Sequence, residues 1–226
     1  MGQTFFKGAF LCFLVVFVAL GMAGIDRSCL DAADSAYLAA ADALARGQMP
    51  YRDFLAAHPP LLFALGAPLA ALKAGVLPFR IFSFLLAAGI GLGSWRVTMR
   101  VSSDSRLALL AGALTLLAPL GLFFSRLFLN DALVSLLALG AVLALLSGSR
   151  RETVLAGALC LLGTMAKLTF LPFLAAFFIH LLFKDRRQAL LFAAIAGGGG
   201  LVATVDLHIP TNGPYLDTII RAQDSK

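Results

Sequence analysis

The chain has 226 residues, of which 60% are hydrophobic and 13% charged, and its formal net charge is +6. A soluble domain of this size has no use for so much apolar side chain, so the composition excludes that class and points to an all-α polytopic membrane protein. The positive balance does not argue for a nucleic-acid partner, because Lys and Arg fall in short clusters between apolar runs, where such residues orient membrane helices.

At the N-terminus Lys7 precedes an apolar stretch reaching about Gly24, and Gly21-Met22-Ala23 has the small residues of a signal-peptidase site. The stretch is long enough to span a bilayer and further spans follow, so an uncleaved first helix is expected. Runs near the length of one crossing occur at 5–25, 79–97, 107–125, 129–147 and 189–205. Between the last two lies a longer run, 154–183. As one helix it would measure roughly 45 Å against roughly 30 Å of hydrocarbon, and Lys167 sits near its middle. Arg150-Arg151 precede it and Lys184, Arg186 and Arg187 follow it, so both ends belong on the cytoplasmic side. The run therefore reads as two short helices turning within 163–172.

Arg96, Arg100 and Arg106 mark another cytoplasmic connection. About seven crossings result, with the N-terminus inside and a long, helical first outer loop. The chain reads as one transmembrane domain over 1–226, with an outer loop at 26–78 and an outer tail at 206–226. Within the loop, 61–74 is apolar but too short to cross and should lie along the outer surface. Four glycines at 197–200 suit close helix packing better than a phosphate loop, since no strand precedes them and no Gly-Lys-Ser/Thr follows. Cys12, Cys29 and Cys160 have neither a metal-binding spacing nor a disulfide pattern.

The outer loop carries the most informative pattern. Residues 31–46 read as a helix stopped by Gly47. At 100° per residue Asp31, Ser35, Asp42 and Arg46 share a polar face, with Asp42 and Arg46 spaced for an i,i+4 pair, while Leu30, Tyr37, Ala41 and Leu44 share the apolar one. Asp34 projects from the middle of the apolar stripe. A carboxylate there is costly without a partner or a task. Two readings stand: a buried Asp satisfied by a cap or an arginine, or a general base at the rim of a membrane-embedded cleft. Met49-Pro50-Tyr51-Arg52-Asp53-Phe54 and His58-Pro59-Pro60-Leu61 follow, where proline forbids regular helix.

Lys167 and Arg126 are placed by this topology on the side of Asp34. A lysine inside an apolar run calls for an anionic partner, and lipid phosphate is one candidate. For Arg126 the alternatives are snorkelling and a pair with Asp131. Arg80 opens the second span, where it could meet lipid headgroups. Trp95 reads as an interface anchor, and His180 and His208 suggest no site.

The acid on a loop helix, then Gly-x-x-Pro-Tyr-Arg-Asp-Phe and His-Pro-Pro-Leu, resembles the first outer loop of the C-type (GT-C) membrane glycosyltransferases. The resemblance is nearest to the protein mannosyltransferase-like branch, including bacterial transferases that decorate lipopolysaccharide core or lipid A. It continues through Ser125-Arg126-Leu127-Phe128-Leu129-Asn130-Asp131 and Ala166-Lys167-Leu168-Thr169. It implies the N-terminal part of a GT-C fold in a bacterial inner membrane. A sugar on a polyprenyl phosphate would be donated with inversion to a hydroxyl of a glycan, lipid or protein. Membrane lipids are then partners, nucleic acid is not, and no cofactor is required, although some relatives use a divalent metal. By the same resemblance Asp34 would be the base, Asp131, Tyr51, Asp53 and His58 would contact substrate, and Lys167 and Arg126 would hold lipid phosphate. Where the family often has Asp-Glu this chain has Asp34-Ser35. Family members also continue past this length, so the chain is expected to be a shortened or split product. A lipid-binding transporter or flippase subunit, or a non-catalytic scaffold, are the readings from other classes.

Overall fold

The computed structural model describes residues 3–23, 31–208 and 215. Those residues are helical almost throughout; no strand forms among them, and one isolated bridge joins Pro50 and Phe54. The helices are α1 (Gln3–Met22), α2 (Ala32–Ala45), α3 (Leu61–Ala71), α4 (Leu77–Ser102), α5 (Ser105–Leu117), α6 (Pro119–Phe124) and α7 (Asn130–Ser147). There follow α8 (Arg150–Ala166), a 3-10 turn (Leu168–Phe170), α9 (Leu171–Lys184), α10 (Arg186–Ala193), a π segment (Ala194–Gly198) and α11 (Gly199–His208).

Four stretches are long and apolar enough to cross a membrane: Phe5–Met22, Leu77–Ser102, Asn130–Ser147 and Arg186–Leu207. Large side chains such as Leu85, Phe183 and Leu190 face outward on these and neighbouring helices, the pattern of a protein solvated by hydrocarbon.

Local chemistry sets the boundaries. The Asp31 carboxylate accepts from the Ala33 amide and caps α2, and Gly47 follows its C-terminal end at φ +82°. Asp104 caps α5, Ser149 and Glu152 form a capping box on α8, and Asp185 caps α10. The expected span 107–125 is not one helix. It breaks between Leu117 and Pro119, where Ala118 takes ψ 132°, because proline lacks an N–H and bars its predecessor from helix. The overlong run breaks at Lys167, which is extended (φ −157°, ψ 132°). The Phe170 ring folds back against Gly163, which has no side chain to obstruct it.

The helices share two ends. At one, Lys7, Arg96 and Arg100 surround a common cavity, Arg100 donates to the Ser147 hydroxyl at 3.2 Å, and Gln188 donates to the Gly148 carbonyl beside Lys184. All the basic clusters of the sequence gather here. At the other end the Arg126 guanidinium donates to the Leu20 carbonyl at 2.7 Å, and the 47–50 turn meets Asp206 and Leu207 across an apolar cavity. The loop helix α2 caps this second end. It is pinned on α3 by the close approach of Ala41 and Phe128 to Gly66, and its buried face includes Asp34, Tyr37, Ala40 and Ala41.

In the glycine run, Gly199 meets Leu161 as close packing requires, but Gly197 and Gly198 face open space. There the helix is a π turn.

Candidate functional site

Asp34 lies in the first turn of α2 and has no exposed surface. Arg80, one turn into α4, is equally buried and grips it with both terminal nitrogens: Nη1 donates to Oδ1 at 3.0 Å and Nη2 to Oδ2 at 2.7 Å. The Phe128 amide donates to Oδ1 at 2.8 Å, and Arg80 Nη1 also reaches the Arg126 carbonyl. One bidentate pair thus joins the loop helix, α4 and the 126–128 segment. Fork-to-fork geometry of this kind fixes orientation as well as distance. Arg80 is therefore buried away from any headgroup, contrary to its sequence reading: the apolar stripe around Asp34 needed a cation, and α4 supplies it.

The second polar centre is more open. Lys167, held at the break after α8, donates to Asp131 Oδ1 at 2.8 Å; the lysine side chain is 18% exposed and the carboxylate 69%. Asp131 occupies the first turn of α7, where a helix favours an acid. The alternative pair between Arg126 and Asp131 does not form, because Arg126 is turned toward the end of α1 and leaves Asp131 to Lys167.

Between the two centres stand residues whose role the sequence did not reveal. Tyr37 lies beside the buried Asn130, and burial pushes its phenol pKa up to about 12, with nearby Asp131 adding to the rise. Tyr37 stacks on His58 at 5.7 Å. Asn130 could have been found as the neighbour of Asp131 in a quoted motif; Tyr37 looks like any core residue of its stripe.

Tyr51 and Asp53, expected to contact substrate, bond within the loop. The Tyr51 hydroxyl donates to the His58 carbonyl at 2.6 Å, its ring meets Tyr215 edge-on at 4.8 Å, and burial beside that second phenol raises its pKa strongly. Its backbone sits at φ +67°, a strained value for a side chain of this size. Asp53 accepts from the Met49 amide at 2.8 Å and pairs with Arg52, and these bonds hold its carboxyl at about 2. Asp34, Arg126, Asp131, Lys167 and His58 are thus joined through the 126–131 segment and Tyr37, whereas Asp53 closes a separate turn. No group of three His, Cys, Asp or Glu side chains able to hold a metal occurs among the described residues.

No family model, curated protein or solved structure matches the chain.

Proposed function

We propose that the chain belongs to a membrane glycosyltransferase that moves a sugar from a polyprenyl-phosphate donor to a hydroxyl acceptor at the outer face of the membrane. The observation that carries this reading is the linkage of the loop acid and the mid-run lysine at one end of the bundle, opposite the basic clusters. Seven crossings agree with helix ends that alternate between those two poles, counting α5 with α6 and α10 with α11 as single passes. The short α8 and α9 return the chain to its starting pole, as the two flanking basic clusters require.

In the proposed reaction the acceptor oxygen bonds to the anomeric carbon as the bond from that carbon to the phosphate oxygen breaks. The electron pair leaves with the lipid phosphate. Lys167 neutralises the phosphate by exchanging Asp131 for it, a change that its partial exposure allows. The hydroxyl proton passes to Asp34, whose weak basicity suffices when the transition state has oxocarbenium character. For that step Asp34 must trade a donor for the acceptor hydroxyl. Its complete burial and three hydrogen bonds favour a second reading for this residue, in which it fastens the loop to α4 and no proton reaches it.

Membranes from cells expressing the chain, supplied with radiolabelled polyprenyl-phosphate sugar, test the proposal. Transfer above that of control membranes, lost in Lys167→Met, is the expected result. Donor retention without turnover would make the chain a lipid-binding subunit instead.

A further inference from the structure

We propose a second site at the opposite, basic end: a binding site for an acidic glycerophospholipid between α1, α4 and α5. It does not depend on the transferase reading.

A cavity of about 510 Å³ opens there, with Lys7 of α1 and Arg96 and Arg100 of α4 around it. Arg96 and Arg100 are four residues apart and so share one helix face, where like charges repel. Lys7 and Arg96 make no ion pair among the described residues. Arg100 donates to the Ser147 hydroxyl at 3.2 Å and lies near the half-buried Glu152, which is itself bonded to Ser149. The other nearby acid, Asp104, is committed to capping α5 through the Arg106 and Leu107 amides. Three cations held around one cavity with so little counter-charge call for an anion. Trp95 forms one wall. Its ring is fixed by stacking on Phe10 of α1 at 5.2 Å.

The shape beyond the cations selects a lipid over free phosphate. Phe6 also borders a second cavity of about 360 Å³, which runs between α1 and α5 past Phe13, Leu109 and Leu110, with Arg106 at its lining. A phosphate seated among Lys7, Arg96 and Arg100 would leave its acyl chain lying in this apolar channel. The combination of a basic pocket between membrane helices and an adjoining apolar groove matches an acidic lipid such as phosphatidylglycerol.

Native mass spectrometry of the full chain in neutral detergent, with phosphatidylglycerol and phosphatidylcholine at equal concentration, tests the site. Phosphatidylglycerol should be retained preferentially. Each cation near a lipid headgroup contributes about fivefold in affinity, so the Lys7→Gln/Arg96→Gln variant should lose roughly 25-fold of that preference. Arg151→Gln, at the same end but outside the cavity, should lose little. Equal retention by the double variant and the parent overturns the proposal. So does protection against heat by inorganic phosphate as strong as by the lipid, which would make the ligand a free anion. If the double variant does not fold, a photoactivatable phosphatidylglycerol on the unmodified chain decides: crosslinks on peptides containing Phe6 or Met99 support the site, and crosslinks confined elsewhere refute it.

Discussion

Removing one partner of the Asp34–Arg80 pair should destabilise the protein far more than removing both. Both side chains are fully buried, and the Phe128 amide is the third donor to the same carboxylate. Arg80→Met strands a carboxylate, and Asp34→Asn strands a guanidinium. Each should cost about 3–5 kcal/mol, the usual penalty for an uncompensated buried charge. For a chain of this length that corresponds to roughly 6–20 °C in melting temperature. The double variant Asp34→Asn/Arg80→Met carries neither charge and keeps an amide oxygen for the Phe128 amide, so it should recover at least half of the loss. Thermal unfolding of the four proteins in one detergent, with and without added salt, is the assay. Salt should have little effect on the coupling, because the pair is shielded from solvent. Single variants within about 2 °C of the parent, or a double variant showing the sum of both losses, would refute the structural role. An Asp34→Asn protein that melts like the parent yet transfers no sugar would instead identify Asp34 as the base.

Lys167→Met should weaken donor retention while changing stability by less than about 1 kcal/mol, since its partner Asp131 is mostly exposed; equal donor retention would remove Lys167 from the site. Cysteines placed at Ser149 and Asp185 in a cysteine-free background should be labelled from one side of the membrane and a cysteine at Arg52 from the other; labelling of Ser149 and Asp185 from opposite sides would break the hairpin. All three tyrosines have raised pKa values, Tyr37 to about 12 against an ordinary 10.0. A raised phenol stabilises the fold fully below the unfolded value and loses that contribution as pH climbs from about 10 through about 12. Tyrosinate absorbance should therefore stay low in folded protein at pH 10, and half-ionisation there would contradict the packing around Tyr37. Gly163→Ala should cost about 1–3 kcal/mol because the new methyl collides with the Phe170 ring; an unchanged melting temperature would mean that the hairpin tip is looser than described.

Helical periodicity singled out Asp34 before any contact was visible, since one acid among Tyr37, Ala41 and Leu44 is conspicuous. It could not name Arg80 as the partner, because nothing local relates residues 46 positions apart. Charge clusters and run length located the break at Lys167 for the same reason that they work in membrane proteins generally: a cation and a hydrocarbon thickness are strong constraints. Pro119 marks the interruption of 107–125 equally plainly, whereas the hydropathy of that run is continuous across it. The bonds of Tyr51 and Asp53 within their own loop were not legible, because a proline-rich motif looks the same whatever its polar groups touch. The transfer of Arg126 to the Leu20 carbonyl depends on how α1 docks, which no spacing encodes.

The distribution of charge pairs has a consequence for how the protein is made. All four ion pairs among the described residues lie on the loop side, while the basic end uses its acids as helix caps. Two of these pairs, Arg46–Asp42 and Arg52–Asp53, are local, and the other two join residues far apart in the chain. The two long-range pairs are not matched at the same moment. Asp34 emerges from the ribosome before Arg80 exists and must wait for α4, whereas Lys167 arrives to find Asp131 already in place. The Asp34–Arg80 pair, which fastens α2 to α4, therefore cannot close until α4 has been made.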